Sequence, residues 1–563
     1  MNPTGSDPMK TFLDNHLRRF APTVILLVVT GVFSVSAHPP QAQVAEAVEE
    51  AESCTSIQVG RLASEDGSVI TCHTCDGNYR TWLNIMPHRK HAKGSTNKIY
   101  WGTLHTETPW DMRGKILKGE IPEVEETYAY LNTAYPCMNE KALAIGETTI
   151  VGRQELRNDE GLFLIEELQR IVLERCTTAR DAIRLIGQLV KQYGYGDYGE
   201  CITIADKREV WHFEIFGAGP AEIGAVWAAV RIPDDHVGVS ANRPRISTLN
   251  LKDPDHYMAS ENVFSVAESM GWYDPKKGEP FKFWKAYSTQ KPFSDREFYI
   301  FNKLAPSLHL SMDAEELPFS VKPEKKLSVR DVMRMYRETY EGTDFDMTRN
   351  LMVPKPRPPQ RGQAAAKEQP AGEMIKSPLA HNWMSRDLIT LLNTLKPGTV
   401  QTRRTIAISS CAYSQIIQVR DGLPDEIGAI AWFSFDNPAQ SPRFPIFSGT
   451  LSLPKSFEYC AQHRFRTDSA CWAFRQANRL ATVRWGSTRK YIEDGIREFE
   501  DRAFMELPDI EKRFMQMRQS EDSDAATKCR EYLTQYTNDF ARAAMSKWTE
   551  LAETFWAMFA RGF

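Results

Sequence analysis

The fold is decided by residues 54–76, CTSIQVGRLASEDGSVITCHTCD. Residues 54–60 form a short strand pattern, a turn follows at 64–68, and a second strand begins at Val69. The Asp-Gly pair of the turn lies between two strand-forming runs, and such a pair is a strong signal for a β-hairpin. We therefore expect an antiparallel pair of strands that opens on Cys54.

The segment before this hairpin has the profile of a signal peptide. Arg18 and Arg19 precede residues 20–37, which are apolar except for one threonine and two serines. The run ends in Val-Ser-Ala, which places small residues at the −1 and −3 positions of a cleavage site. The alternative is an uncleaved membrane anchor, because about 18 residues approach the length that spans a bilayer. We predict a signal peptide at residues 1–37 and a secreted or periplasmic protein.

Residues 38–53 separate this signal from the hairpin. They contain alanine, glutamine, proline and four glutamates, and they offer almost nothing to bury. We interpret them as a pro-segment. A lipid-modified Cys54 is the alternative, but Ala51 and Glu52 stand where an apolar lipobox would be expected.

Composition sets limits on the kind of protein. The 563 residues are 42% hydrophobic and 25% charged, which is ordinary for a globular protein and excludes a disordered chain. The 69 basic and 73 acidic side chains give a net charge of -4, so there is no general basic surface for nucleic acid. No later segment has an apolar run like that of the signal, so membrane contact is expected only there.

The remaining pattern indicates an α+β layer architecture, because helices come in one block and strands in the next. Helices are predicted at 160–176, at 178–193, where Thr178 and Asp181 form an N-terminal cap, and from Ser328 to about Tyr340. Strands are predicted at 201–205, 209–216, 224–232, 236–240, 404–409, 412–419 and 427–435.

Two further segments have distinctive compositions. Residues 354–372 contain five prolines and three consecutive alanines, which indicates an exposed loop that interrupts one domain. Residues 490–563 are helical in pattern, with aromatic and methionine side chains at spacings of three and four. We expect this extension to cover the sheets. The alternatives are a contact between subunits of a homo-oligomer and a face that lies on a membrane surface.

A series of short motifs resembles the C69 dipeptidases, which are N-terminal nucleophile hydrolases related to choloylglycine and penicillin V hydrolases. The residues that carry the resemblance are Cys54, the Asp-Gly hairpin, and residues 73–76, 138–149, 204–206, 209–214, 239–244, 423–424, 430–432 and 445. The resemblance covers roughly residues 54–457. It implies a four-layer αββα sandwich of two antiparallel sheets, with a catalytic domain at 54–489 before the helical extension.

The resemblance implies that Cys54 is the nucleophile of this domain. The thiolate is the nucleophilic form of cysteine, so the thiol needs a nearby base to take its proton. If removal of residues 1–53 frees the α-amine of Cys54, that amine has a reference pKa of about 7.7 to 8.0 and can act as the base. The attached pro-segment would then keep the enzyme a zymogen.

Four supporting residues follow from the same resemblance. Asp76 is implied to hold the terminal amine, and Asn242 to donate its side-chain amide in the oxyanion hole, with a second donor from the backbone near Thr149. The chain departs from the wider superfamily at His73, where relatives carry arginine. A histidine there would be cationic only if Asp76 holds up its pKa.

The function that these residues imply is a secreted cysteine dipeptidase that acts through a thioester acyl-enzyme and needs no cofactor. One alternative is an acylase for bile-salt-like, penicillin-like or N-acyl amides. An alternative of another class is a surface-anchored binding protein without catalysis, which the histidine at position 73 keeps open.

The cysteines suggest other chemistry only weakly. Cys72 and Cys75 have CxxC spacing, but no second pair completes a tetrahedral zinc site, so we expect no metal. Cys460 and Cys471 are close enough in sequence to form a disulfide, and Cys72 with Cys75 would form a strained one.

Overall fold

The structure is a computed structural model that describes residues 53–220, 222–355 and 373–562. The predicted signal peptide, the pro-segment up to Glu52 and most of the proline-rich loop lie outside these residues. No helix within them has the length and apolar character that a membrane span requires.

Short strands and helices alternate through the described residues. The strands are β1 (Ser53–Val59), β2 (Val69–Asp76), β3 (Asn84–Met86), β4 (Arg89–Lys90), β5 (Thr96–Trp101), β6 (Ile116–Pro122), β7 (Glu126–Thr127), β8 (Tyr130–Asn132), β9 (Met138–Asn139), β10 (Ala144–Thr149), β11 (Glu200–Ala205), β12 (Val210–Gly217), β13 (Ala225–Arg231), β14 (Val237–Ser240), β15 (Tyr257–Ala259), β16 (Ser320–Val321), β17 (Met352–Pro354), β18 (Met374–Lys376), β19 (Cys411–Val419), β20 (Ala429–Phe435) and β21 (Phe444–Phe447). The helices are α1 (Ile165–Arg175), α2 (Ala179–Tyr193), α3 (Ser265–Ser269), α4 (Phe283–Tyr287), α5 (Asp295–Leu304), α6 (Val329–Tyr336), α7 (Arg386–Leu395), α8 (Asp425–Gly428), α9 (Ala470–Thr482), α10 (Trp485–Arg518) and α11 (Ala525–Met558).

Two large antiparallel sheets form the centre of the protein. The first has the strand order β16-β14-β1-β2-β19-β20-β21, and the second has the order β15-β13-β12-β11-β10-β9-β8-β3. The predicted hairpin is confirmed as β1 and β2, in which Cys54 lies opposite Cys75 and Ser53 opposite Asp76. All residues of β1, β2 and β19 are buried, because each sheet is covered on both faces.

The sheets and helices form four layers. Strands β1 and β2 pack against β10 and β11 of the other sheet. Helix α2 covers the outer face of the second sheet, and α6, α9, α10 and α11 cover the outer face of the first. The α+β prediction of an αββα sandwich with a helical region at its C-terminal end is therefore confirmed.

Several local predictions are confirmed and others are wrong. Thr178 caps α2 by accepting a hydrogen bond from the backbone N–H of Asp181, as predicted. The strand predicted at 404–409 does not form. Its backbone is used elsewhere, since Ala407 donates to the carbonyl of Glu338 and accepts from the indole of Trp383.

The predicted ends of two helices also differ from the structure. Helix α1 begins at Ile165 rather than at 160, and α6 ends at Tyr336 rather than near Tyr340. Tyr340 has a φ of 62°, which a continuing right-handed helix does not allow. The helical C-terminal region already begins at Ala470.

All ten cysteines are free and buried. The disulfides suggested for Cys460 with Cys471 and for Cys72 with Cys75 are therefore not present. Strands β17 and β18, which flank the proline-rich loop, pair with each other, so the chain enters and leaves the loop at one place.

Candidate active site

Cys54 lies fully buried in β1, in the middle of the first sheet. Its backbone N–H donates to Oδ1 of Asn242 at 2.9 Å. Its thiol Sγ lies 3.5 Å from a carboxylate oxygen of Glu147, on β10 of the facing sheet. Because Ser53 precedes Cys54, the nitrogen is an amide here and cannot act as a base.

Burial also controls the protonation state of the Cys54 thiol. Loss of solvent raises the pKa of the Cys54 thiol well above its usual value, and the carboxylates of Glu147 and Asp76 raise this pKa further. While the backbone nitrogen of Cys54 is still joined to Ser53, the thiol is therefore protonated at neutral pH. A base must be supplied before it can act as a nucleophile.

Asn242 connects the two sheets at this point. It follows β14 and has a φ of 62°, a left-handed conformation that asparagine adopts more readily than most residues. Its Nδ2 donates to the backbone oxygen of Thr149 at 2.8 Å, and its Oδ1 accepts from Cys54. The structure thus brings together Cys54, Asn242 and Thr149, three residues that the resemblance implied.

Asp76, the fourth of these residues, lies opposite Ser53 at the end of β2. Its Oδ2 accepts from the hydroxyl of Thr74 at 2.9 Å and from the guanidinium of Arg404 at 2.6 Å. The other oxygen, Oδ1, is buried and has no hydrogen-bond partner in the described chain. Arg404 also donates to the hydroxyl of Ser53 at 2.6 Å, so it holds the residue just before Cys54.

His73 lies in the same cluster, but it is not the cation that the resemblance required there. The imidazole is fully buried, and burial lowers its pKa to about 4. It is therefore neutral at physiological pH. Nδ1 lies 2.7 Å from the backbone oxygen of Glu147, and because a carbonyl only accepts, Nδ1 carries the proton. His73 thus positions the strand that carries Glu147.

A buried arginine supplies a positive charge instead. Arg296, near the start of α5, donates to the carbonyl of Cys54 at 2.6 Å and to Oδ1 of Asn242 at 2.8 Å. It also holds the hydroxyl of Thr55 and the carbonyl of Ala241. Burial lowers its pKa to about 10, which leaves the guanidinium charged at neutral pH.

The capping of α5 explains how this arginine reaches the site. Ser294 and Glu297 form a capping box at the start of the helix. Glu297 also accepts from the backbone N–H of Ala241, so the helix end is tied to the segment that carries Asn242. No local sequence signal distinguishes Arg296 from other arginines, and sequence reasoning missed it.

Buried carboxyl groups line the other side of the thiol. Glu147 and Glu200 lie on the neighbouring strands β10 and β11, where Glu200 stands opposite Thr149, two residues from Glu147. Burial raises the pKa of both, and for Glu200 the charge of Glu147 adds to this effect. Glu147 could have been suspected from the sequence as an acid inside a strand-like run.

One group of donor atoms in the described chain is close enough to hold a metal ion. A ligand atom from each of Cys54, His73 and Glu147 lies within 4.8 Å of the others. Thiolate, imidazole and carboxylate are donors that suit zinc. The same thiol would be required as a nucleophile, so a metal there would compete with hydrolysis.

Glu166, in the first turn of α1, is expected to make the stability of the folded protein depend on pH. It is 3% exposed, and burial raises its pKa to about 8. The folded protein keeps a proton that the unfolded chain releases above its ordinary pKa of about 4.3, so stability is lost as pH rises towards about 8. We expect the unfolding midpoint to fall between about pH 5 and about pH 9, and Glu166→Gln to reduce that fall by roughly 3 °C.

Differential scanning calorimetry across this pH range measures the effect. Glu160→Gln is the control, since Glu160 is exposed and its replacement should leave the pH dependence unchanged. An equal pH dependence in the Glu166→Gln variant and the wild type would contradict the expectation.

Comparison with known proteins places this chain in a family. The model of peptidase family C69 matches residues 53–498. A probable dipeptidase from Latilactobacillus sakei is 26% identical over 426 residues, which cover 72% of this chain and 76% of the relative. A probable dipeptidase from Salmonella dublin is 26% identical over 416 residues, covering 70% and 81%.

A third relative, probable dipeptidase B from Lactococcus lactis subsp. lactis, is 24% identical over 518 residues, covering 89% of this chain and 94% of the relative. The family match begins one residue before Cys54 and extends through the two sheets into α10. It includes Cys54, His73, Asp76, Thr149 and Asn242. The chain belongs to peptidase family C69.

Proposed function

We propose that this chain is a cysteine dipeptidase that becomes active when residues 1–53 are removed and Cys54 becomes the N-terminal residue. The observation that supports this most is the convergence on the backbone of Cys54 of residues far apart in sequence. Asn242 is 188 residues from Cys54, and Arg296 is 242 residues from it. Their hydrogen bonds fix both polar groups of the Cys54 backbone.

Removal of the pro-segment would change the chemistry of Cys54 in one step. Its amide nitrogen becomes an amine whose pKa lies near about 7.7 to 8.0, so a fraction is unprotonated at neutral pH. Asp76 lies at the end of the adjacent strand, and its unpartnered Oδ1 can accept a hydrogen bond from that amine. The amine then takes the thiol proton.

Hydrolysis would follow in two stages. The Cys54 thiolate attacks the carbonyl carbon of the peptide bond, the C–N bond breaks, and the ammonium of Cys54 gives its proton to the leaving amine. A thioester remains. The same amine then takes a proton from water, hydroxide attacks the thioester, and the C–S bond breaks to restore the thiolate.

The oxyanion of each stage needs donors that are already in place. Asn242 uses one hydrogen of Nδ2 for the carbonyl of Thr149, and the second hydrogen is available for the substrate oxygen. We propose that this hydrogen and the backbone N–H near Thr149 form the oxyanion hole. One such donor is worth about 3 to 4 kcal/mol of barrier.

Dipeptides are the proposed substrates, as the names of the relatives suggest. The amide acylase is less well supported, because the thiol faces the carboxyl groups of Glu147 and Glu200 rather than an apolar pocket. The non-catalytic binding protein was kept open by the histidine at position 73. Arg296 weakens that alternative, since it supplies a buried cation at the backbone of Cys54.

Export of the protein stays a prediction from the N-terminal pattern of arginines and apolar residues. We propose that the signal at residues 1–37 directs the chain out of the cytosol and that residues 38–53 are removed afterwards. A homo-oligomer also stays a prediction.

The direct test combines the mature N-terminus with activity. Intact mass and N-terminal sequencing of the purified protein should give a chain that begins at Cys54. That chain should release free amino acids from a panel of dipeptides, as followed by chromatography. A mature protein that begins upstream of Cys54 and yet hydrolyses dipeptides would overturn the proposed activation.

Arg404 provides a prediction about the activation step. Its guanidinium holds the hydroxyl of Ser53 and the carboxylate of Asp76, so it orients the bond that must break. We expect Arg404→Met to slow conversion of the precursor by on the order of 10-fold to 100-fold, because small misplacements of reacting groups have effects of this size. Conversion is followed by intact mass over time.

Arg403→Met is the matched control. Arg403 is the neighbouring arginine, and it pairs with Asp295 instead of Ser53. Its replacement should leave the conversion rate within about twofold of the wild type. If the two variants mature at the same rate, Arg404 does not position the bond.

A further inference from the structure

We propose that the carboxyl groups of Glu147 and Glu200 form a subsite that binds the α-ammonium group of the first residue of the substrate. The enzyme would then require a free amino terminus directly before the bond that it hydrolyses. This inference rests on the proposed dipeptidase function and names the part of the substrate that the site recognises.

The position of the two glutamates is the first argument. Glu147 lies on β10 with a carboxylate oxygen 3.5 Å from Sγ of Cys54. Glu200, on β11, lies opposite Thr149, and Thr149 is two residues along β10 from Glu147. Because side chains two residues apart lie on one face of a strand, both carboxyl groups lie on the face of the second sheet that is turned towards the thiol.

The charge of the pair is the second argument. Within the described part of the chain, neither glutamate forms an ion pair with lysine or arginine, and the neighbouring His73 is neutral. Glu147 is 0% exposed and Glu200 is 3% exposed. Burying an ionised carboxyl group without a cation is costly, and burial accordingly raises the pKa of both glutamates. An ammonium group that arrives beside them favours the ionised form, and carboxyl groups perturbed in this way are typical of functional sites.

Unsatisfied polar atoms are the third argument. Oε2 of Glu200 is buried and has no hydrogen-bond partner in the described chain, and the same holds for the hydroxyl of Tyr195. Tyr195 interacts electrostatically with both glutamates. Nearly all buried polar atoms in proteins have partners, so the unfilled carboxyl oxygen of Glu200 points to a donor that arrives with the ligand. An ammonium group has three N–H donors and no acceptor.

The covalent geometry of a dipeptide fits this placement. The α-nitrogen is about 2.5 Å from the carbonyl carbon of its own residue, as standard bond lengths require. A carbonyl carbon in position for attack lies about 3 to 3.5 Å from the sulfur. The ammonium group therefore falls within a few ångströms of Sγ, where the carboxylate of Glu147 is found.

The amine of Cys54 itself is the other cation that could occupy this place. Its nitrogen is already held elsewhere, since it lies 2.9 Å from Oδ1 of Asn242. The thiol side chain, and not the backbone nitrogen, is the part of Cys54 that contacts Glu147. The substrate is thus the occupant that the contacts favour.

The experiment compares three substrates of the processed enzyme that share one scissile bond. They are a neutral dipeptide that the enzyme hydrolyses, its N-acetyl derivative, and its desamino analogue, in which hydrogen replaces the amino group. We expect kcat/KM to fall by on the order of 100-fold or more for both uncharged compounds, because a buried charged partner is left unpaired. The desamino analogue controls for the bulk of the acetyl group.

Glu200→Gln tests the residue assignment. We expect it to raise KM for the free dipeptide by on the order of 10-fold, with a smaller change in kcat. The ratio of kcat/KM for the dipeptide to kcat/KM for the desamino analogue should therefore become smaller. Glu174→Gln is the control, because Glu174 is also a largely buried glutamate but is paired with Arg170 on α1. It should leave the preference unchanged.

Two results would overturn the inference. One is a wild-type enzyme that hydrolyses the desamino analogue as well as the dipeptide. The other is a folded Glu200→Gln variant, checked by its unfolding midpoint, in which the preference for the free amine is unaltered.

A binding measurement separates this inference from the proposed function. Leucine and its desamino analogue are titrated into the wild-type protein, and the shift of the unfolding midpoint is recorded. If the protein hydrolyses no dipeptide, and leucine raises its unfolding midpoint whereas the desamino analogue does not, the result contradicts the proposed function and supports the subsite. Equal shifts for the two compounds count against the subsite whether or not dipeptides are hydrolysed.

Discussion

Replacing Cys54 by serine is expected to lower kcat/KM for dipeptides by about 10,000-fold or more, because loss of a nucleophile leaves only binding and the oxyanion hole. A hydroxyl is much harder to ionise than a thiol, and this site already raises the pKa of the thiol through burial and nearby carboxylates. The variant should be assayed with the same dipeptides as the wild type, and its N-terminus should be determined by intact mass.

The N-terminus decides how the result is interpreted. A Cys54→Ser chain that still carries residues before position 54 lacks the amine as well as the thiol. A Cys54→Ser chain whose first residue is the introduced serine lacks the thiol alone, and full activity of that chain would show that the nucleophile lies elsewhere. Cys137→Ser is the matched control, since Cys137 is equally buried but lies directly before β9 of the second sheet, and activity should stay within about twofold.

Replacing Asn242 by aspartate is expected to lower kcat by about 100-fold to 1,000-fold, with a smaller effect on KM. Aspartate keeps an oxygen that can accept from the backbone of Cys54 and from Arg296, as Oδ1 does now. It loses both hydrogens of Nδ2, and with them the proposed donor to the substrate oxygen. The measurement is steady-state kinetics on dipeptides, with circular dichroism to check the fold.

Comparing Asn242→Ala with Asn242→Asp separates the effect of Asn242 on catalysis from its effect on stability. Alanine also removes the acceptor, so the N–H of Cys54 and one donor of Arg296 are left unpaired in the interior, at a cost of about 2 kcal/mol. Alanine is less suited than asparagine to the φ of 62° at this position. We expect the alanine variant to be the less stable of the two and equally slow. An aspartate variant with kcat within about threefold of the wild type would exclude the donor role.

The sequence predicted those parts of the site that depend on short stretches of chain. The Asp-Gly turn placed β1 beside β2, and this pairing alone brings Asp76 next to Ser53 and Cys54. Thr178 was identified as a cap because its partner Asp181 is three residues away. Such signals are local, since the hydrogen bonds that produce them close within one turn or one hairpin.

The residues that sequence reasoning missed owe their roles to contacts between distant segments. Arg404 lies where a strand was predicted, and its side chain reaches Ser53, 351 residues away. Arg296 is one of many arginines until α5 packs beside β14. His73 occupies the expected position, but its charge depends on burial between the sheets, which spacing alone does not reveal.

The wide separation of these partners sets the order of events during synthesis. Cys54 is made early, whereas Asn242 and Arg296 leave the ribosome 188 and 242 residues later. A nascent or truncated chain therefore carries the cysteine without the groups that fix its backbone, and it has no assembled site. Only a chain that has completed both sheets can bring Asn242 and Arg296 to the backbone of Cys54, so any activity that depends on these contacts requires the whole fold.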